Sequence, residues 1–227
     1  MKVFAISDLH LSINNPKPMD IFGHAWDNYI DKIVADWDKK VSDEDVVLIA
    51  GDISWAMNLD EAISDLEFIG RLKGKKIMIR GNHDYWWKSI TGLRSRLPPN
   101  FYALQNDCLR LGDVIFCGSR GWMVDSTKEE DIRIFDRELI RIKLSLDEMK
   151  KQRRDSDKIV LMLHFPPFNY RGDNSRVADL IAEYNVDKVV YGHLHGSKIK
   201  TAPRITKGQT EYILTSCDQV GNELVEI

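Results

Sequence analysis

Lys75-Lys76-Ile77-Met78-Ile79-Arg80-Gly81-Asn82-His83-Asp84 opens as a short apolar run with β-branched residues and is stopped by the turn former Gly81 just before three polar residues. A buried strand delivers side chains to its own end in this way. Asn82 can ligate a hard cation through its carbonyl oxygen, His83 can pass a proton, and Asp84 can accept a hydrogen bond. Four other strand-like runs break off similarly. Lys2 to Ser7 ends in Asp8-Leu9-His10, Val46 to Ala50 in Gly51-Asp52, Ile159 to Leu163 in His164, and Lys188 to Tyr191 in Gly192-His193-Leu194-His195. Ligands of open α/β sheets bind beyond the carboxyl ends of the strands, so these five ends are expected to face one place. Five of the six histidines lie there. The sixth, His24, reads as an ordinary residue near a helix start.

Working outward, the 227 residues suffice for one sizeable core, and a single domain over residues 1–227 is expected. The hydrophobic share of 43% and charged share of 30% argue against disorder. A formal net charge of -3 disfavours a nucleic-acid partner, although bound metal ions could still bring phosphate groups. Cys108, Cys117 and Cys217 form no CxxC pair, and an odd number cannot close a complete disulfide set. With a strand starting at Lys2, no room for a leader and no apolar run of bilayer length, the expectation is a cytoplasmic protein without a membrane partner. The oligomeric state is not legible.

Between the strand ends, Leu11 to Gly23 reads as a loop, and Trp26, Ile30, Ile33 and Trp37 as one face of a helix. Asn58 is a candidate cap for a helix carrying Ile63, Leu66, Ile69 and Leu72, ended by Gly74. Tyr85-Trp86-Trp87 reads as the start of a core-covering helix, with stacking on a substrate ring as the alternative. Short strands follow over Phe101–Leu104, Cys108–Leu111 and Val114–Cys117, with Gly112-Asp113 as a hairpin turn. From Glu129 to about Arg154 runs an amphipathic helix with the seam Ile132, Phe135, Leu139, Ile142, Leu146 and Met149, its charges read as a solvated face. Packing on a sheet is preferred to a dimer zipper. The loop from Phe165 to Asp173 leaves a site strand and precedes a helix from Ser175 to Tyr184, and the tail segments Glu211–Ser216 and Glu223–Ile227 alternate like strands of a second sheet. Arg171 in that loop and Arg120 at the central bend are candidate substrate contacts.

Mixed oxygen and imidazole donors suit manganese, iron or zinc, and the lack of a nearby Cys argues against a thiolate-rich structural site. The ordered set Asp-x-His, Gly-Asp, Gly-Asn-His-Asp, a lone His before prolines and Gly-His-x-His resembles the calcineurin-like metallophosphoesterases, from Asp8 to His195. The resemblance implies an α/β fold: a four-layer α/β/β/α sandwich of two mixed sheets, of the metallo-dependent phosphatase type. It implies two divalent metal ions, one held by Asp8, His10, Asp52 and His195, the other by Asp52, Asn82, His164 and His193, with Asp52 bridging. It also implies in-line attack of a metal-bridging hydroxide on a small phosphomonoester or phosphodiester, with Asn82 and the metals neutralising charge and His83 protonating the leaving oxygen.

Where the superfamily's protein Ser/Thr phosphatases carry an Asp and its purple acid phosphatases a metal-binding Tyr, three places after the bridging Asp, this chain has Trp55. It also has Gly-Asn-His-Asp-Tyr-Trp-Trp in place of the Gly-Asn-His-Glu form. Both branches are thereby disfavoured, and the group that orients His83 is not identified. The alternatives to a phosphatase or phosphodiesterase are a non-catalytic metal-binding interaction scaffold and a nuclease of the same superfamily. Filled ligand positions speak against the first, and the acidic balance against the second.

Overall fold

The apolar run before Gly81 forms β3 (Lys75–Met78), and the runs that break at the other polar clusters form β1 (Val3–Ile6), β2 (Val46–Ile49), β7 (Lys158–Leu163) and β8 (Lys188–Tyr191). This is a computed structural model that describes residues 1–169, 171–196 and 202–227. The strands β4 (Phe101–Ala103), β5 (Asp107–Leu111), β6 (Val114–Gly118), β9 (Arg204–Lys207), β10 (Thr210–Leu214) and β11 (Val225–Glu226) complete two sheets. The first has the order β11-β1-β2-β3-β4 and the second β5-β6-β7-β8-β10-β9. Inner neighbours run parallel, while β11, β5 and β9 are antiparallel at the edges. Parallel strands need covering on both faces, which is why β2 reads as an unbroken apolar run.

Alternation along each strand divides the core into three apolar layers. Val46 and Leu48 join Val160 and Met162 between the sheets. Val47 and Ile49 point the other way, into a layer with Trp37 of α1 (Tyr29–Lys40) and Leu66 of α2 (Leu59–Gly70). Ile159 and Leu161 pack with Ile142 and Leu146 of α4 (Glu129–Gln152) and Ile181 of α5 (Arg176–Glu183). The small helix α3 (Ile90–Arg94) precedes β4. The layer order is therefore helices, sheet, sheet, helices, as the resemblance implies.

Several local expectations change. Trp26 lies in a 3₁₀ turn ahead of α1, because Asn28 at φ 51 breaks the helical path. Helix α2 is capped by Asn58, whose side chain accepts from the Glu61 N–H, but it ends at Gly70, so Leu72 and Gly74 lie beyond it. Trp86 and Trp87 are buried in an irregular segment, and the helix starts only at Ile90. The α4 seam holds from Phe135 to Met149, whereas Ile132 is exposed. Glu138 leaves the solvated face: it is buried and paired with Arg120 and Arg141. Of the tail, β10 enters the second sheet as expected, but β11 closes the edge of the first by pairing with β1. Cys108 and Cys117 face each other across β5 and β6 as free thiols. No described helix is long and apolar enough to cross a membrane.

Candidate metal centre

The five strand ends converge. Asp8, His10 and His195 present donor atoms within 4.8 Å of one another, and so do Asp8, Asp52 and His164. Asp52 Oδ2 stands 3.4 Å from His164 Nε2 and 3.9 Å from His10 Nε2, so one carboxylate oxygen lies between the two groups. Asn82 Oδ1 is 2.8 Å from His164 Nε2 and 2.9 Å from His193 Nδ1. Seven residues from five loops thus share one small volume. Asp8 is common to both groups, a position that the implied split into two ligand sets assigns to one side alone.

The backbone that achieves this is not extended. Among the described residues, the only non-glycine positions at positive φ other than asparagines are Asp8 (58°), His10 (46°), Asp52 (52°) and His193 (69°). The pairing of Asp8 with His10 therefore comes from left-handed turns, not from the two-residue alternation of a strand. Such strain persists where surroundings over-determine it, and it concentrates at functional sites. Close approach explains two glycines. A Cβ on Gly81 would collide with Asp52 Oδ1, and one on Gly192 would stand 2.7 Å from Asp8 Oδ2.

Asp84, read from the sequence as acceptor of one bond, accepts five. Its carboxylate takes the N–H groups of Gly81, Asp52, Ile53 and Ser54 and the indole N–H of Trp86, at 2.7 to 3.2 Å. It is fully buried and staples the Asp52 loop to the Asn82 loop. Burial and the neighbouring Asp52 push its carboxyl up to about 6, while the backbone N–H donors pull it back. The His83 N–H in turn donates to Asp52 Oδ1 at 2.8 Å, which leaves Oδ2 to face the cluster.

The donor set fits cations. Among the described residues neither ring nitrogen of His10 has a hydrogen-bond partner, nor has Asp52 Oδ2, although all three atoms are buried. Buried polar atoms without partners are costly, and a ligated ion removes that cost. His164 Nδ1 donates to the Ala50 carbonyl at 2.9 Å, so in the neutral ring Nε2 carries the lone pair. That lone pair then meets Asn82 Oδ1 and Asp52 Oδ2, and with the amide in this orientation a proton or a metal ion reconciles the three acceptors. Without metal a proton does so. Burial opposes charge on His164, but Asp52 and Asp8 outweigh it and push the ring up to about 9. Burial pushes His10 down to about 3, and burial together with His164 pushes His193 down to about 3. Burial also works against charge on Asp52, but His164 and His10 hold its carboxyl well below the usual range.

His83 projects beside the cluster, its ring centroid 4.8 Å from Trp55 and 5.6 Å from His10. Trp55 also stacks on His10 at 4.6 Å and 22°. The position that holds an Asp or Tyr in the two disfavoured branches is therefore an aromatic wall for two histidines. Trp26, read from the sequence as helix packing, meets His195 edge-on at 6.2 Å and His10 at a tilt of 58° and 6.0 Å, contacts no local pattern could reveal. Arg120 is committed elsewhere: it pairs with Glu138 at 3.2 Å, lies 4.6 Å from the Trp122 ring centroid, and its carbonyl accepts the His164 N–H. Arg171 is exposed on the loop after β7, at the wall of a cavity that borders His193, whereas Tyr170 of that loop lies outside the described residues. His24 is exposed and pairs with Asp27.

The family profile of calcineurin-like phosphoesterases matches residues 1–197. The chain belongs to this family. An uncharacterized metallophosphoesterase of Helicobacter pylori is 25% identical over 206 residues, 88% of this chain and 45% of the relative. The chain thus spans about half the length of that curated relative. Among solved structures, phosphopantetheinyl hydrolase of Mycobacterium tuberculosis superposes with a TM-score of 0.60 at 15% identity, covering 100% of this chain and 95% of that one. The Thermus thermophilus protein TT1561 gives 0.62 at 14%, covering 99% and 97%. At these identities the structural likeness speaks for the fold alone.

Proposed function

We propose that this phosphoesterase hydrolyses a small phosphomonoester or phosphodiester at a centre that binds two divalent cations, within a single domain over residues 1–227. The observation that carries the reading is the convergence of Asp8, His10, Asp52, Asn82, His164, His193 and His195 around an Asp52 oxygen that has no hydrogen-bond partner among the described residues. Asp8, His10 and His195 would hold one ion; Asn82, His164 and His193 the other; and Asp52 Oδ2 would serve both. When bound, such a pair supplies Lewis acidity and lowers the pKa of water to near neutrality.

The chain's own groups do the rest. Asp84 fixes the loops of Asp52 and Asn82 relative to each other, so the donors are set before substrate arrives. The carboxamide N–H of Asn82, with its oxygen turned to the histidines, is free to donate to a phosphoryl oxygen. His83, half-buried and held against Trp55, is positioned to give a proton to the leaving oxygen. All seven donor positions are filled, which leaves the scaffold reading without a supporting observation.

Turnover of para-nitrophenyl phosphate and of its bis ester with added manganese tests the proposal and separates mono- from diesterase. Asp52→Asn or His164→Ala should abolish metal-dependent hydrolysis, and His83→Ala should lower it by roughly 10²- to 10⁴-fold with metal content retained. Near wild-type turnover in Asp52→Asn, with unchanged metal content, would overturn the assignment.

A further inference from the structure

Beside the cluster, described residues that follow β6, β7 and β8, together with Ile205 of β9, line a cavity of about 250 Å³ whose wall includes His193. Met123, Pro166, Phe168, Leu194 and Ile205 give it an apolar lining. The wall is already built. Phe168 is only 5% exposed, stands edge-on to Tyr212 at 4.6 Å, and is backed by the Lys207 ammonium 4.4 Å from its ring centroid. Lys207 is itself held by the Gly172 carbonyl and the Asn174 side chain, so it braces the loop and does not face a ligand as a spare cation. Leu194, buried, sits in the chain between His193 and His195, so one short segment belongs to both cluster and cavity.

The polar side chains of the wall are few. Asn169 spends its amide on its own loop, accepting from the N–H groups of Arg171 and Asp173 and donating to the Asp173 carboxylate. The Tyr191 hydroxyl, the His193 ring and the exposed Asp125 and Arg171 remain. A nucleobase placed here would bring several edge donors and acceptors against aliphatic side chains, and each one left unpaired costs roughly five- to a hundred-fold in affinity. A flexible aliphatic chain brings none. An apolar cavity of roughly 150 Å³ holds a benzene molecule, or about 25 Å³ per heavy atom, so this one takes an arm of about ten heavy atoms.

Resting on the phosphoesterase reading, we propose that the cavity receives the organic arm of the substrate, and that this arm is an aliphatic chain rather than a nucleoside. The phosphoryl group would sit over the cluster, the arm would run past His193 between Phe168 and Leu194, and any polar end would emerge at Asp125 and Arg171. Beside the two aromatic wall residues, Phe168 and Tyr191, stand the aliphatic Met123, Val124, Pro166, Leu194, Ala202 and Ile205, which suits a chain that turns better than a flat ring system.

The test is kcat/KM of the manganese-loaded protein for alkyl phosphates and 4-nitrophenyl alkyl phosphates, methyl through decyl, beside the corresponding thymidine esters. We expect a rise of up to about four-fold per methylene until the arm fills the cavity, then a plateau, with the thymidine esters no better than methyl. Ile205→Trp, or Met123→Trp at the more exposed side, should flatten that rise in protein that retains its metal content and melting temperature. The wild-type series decides even if neither variant folds. A flat profile with measurable turnover, or a preference for the thymidine esters over decyl, would overturn the arm assignment and leave the phosphoesterase reading standing. Absence of turnover for every ester with both metals bound would overturn both.

Discussion

Asp84→Asn changes one atom, and its cost can be worked from the hydrogen bonds. One carboxylate oxygen accepts the N–H groups of Ile53 and Ser54 and the Trp86 indole; the other accepts those of Gly81 and Asp52. Whichever way an amide is turned, its NH₂ group faces at least two of these donors. Two hydrogen bonds to a charged acceptor are then lost, at about 1.5–3 kcal/mol each, so the variant should be less stable by about 3–6 kcal/mol. Total stability of a domain is about 5–15 kcal/mol, so this is a large share. For a chain of this size it corresponds to a melting temperature lower by about 6–24 °C. Melting the chelated proteins isolates this effect from metal binding, and a second series with manganese shows whether the loops of Asp52 and Asn82 still hold ions. An Asn variant within about 1 kcal/mol of wild type would refute the assignment of Asp84 as the staple between the two loops, since values that small belong to surface changes.

Removing metal should destabilise the wild type, because His10 and Asp52 are then left with buried atoms that lack partners; at a hundredfold excess over Kd each ion adds about 2.7 kcal/mol, or about 5–11 °C, by calorimetry with and without chelator. Lys76→Met should cost about 2–4 kcal/mol in denaturant titrations, because the buried ammonium donates to the carbonyls of Gly70, the last residue of α2, and of Leu72 and Gly74 in the turn beyond it. Asp157 is held down to about 2 by Arg110 and the Arg154 N–H. Its contribution is therefore present above about pH 4 and lost as pH falls towards 2. The melting-temperature gap between wild type and Asp157→Asn should close over that interval, and a gap that stays constant would contradict the assignment.

What could be read from the sequence was whatever depends on local pattern. The apolar runs of β1, β2, β3, β7 and β8, each cut by a polar cluster, announce buried parallel strands and the end at which they deliver side chains. Asn58 and the 3.6-residue spacing of Phe135 to Met149 announce helices for equally local reasons. The missed features depend on partners far along the chain. Three of the five donors to Asp84 come from residues some thirty positions earlier, so its neighbours Gly81 and Trp86 signal only two of them. Glu138 looks solvated among its helix neighbours and is buried only because Arg120 arrives from the bend after β6. The left-handed backbones of Asp8, His10, Asp52 and His193 are uncommon for any non-glycine residue, although Asp and His adopt them more readily than most. They are imposed by loops from both sheets meeting, as when the His193 N–H donates to the Asp8 carboxylate at 3.1 Å. Closure of the first sheet by β11 likewise rests on a two-residue pairing with β1.

Anomalous diffraction from crystals grown with manganese tests the dinuclear centre most directly. Two peaks about 3.5–4 Å apart, on either side of Asp52 Oδ2, are the predicted result. A single peak, or peaks bound away from Asp52 while His10 and His164 keep no metal contact, would contradict it.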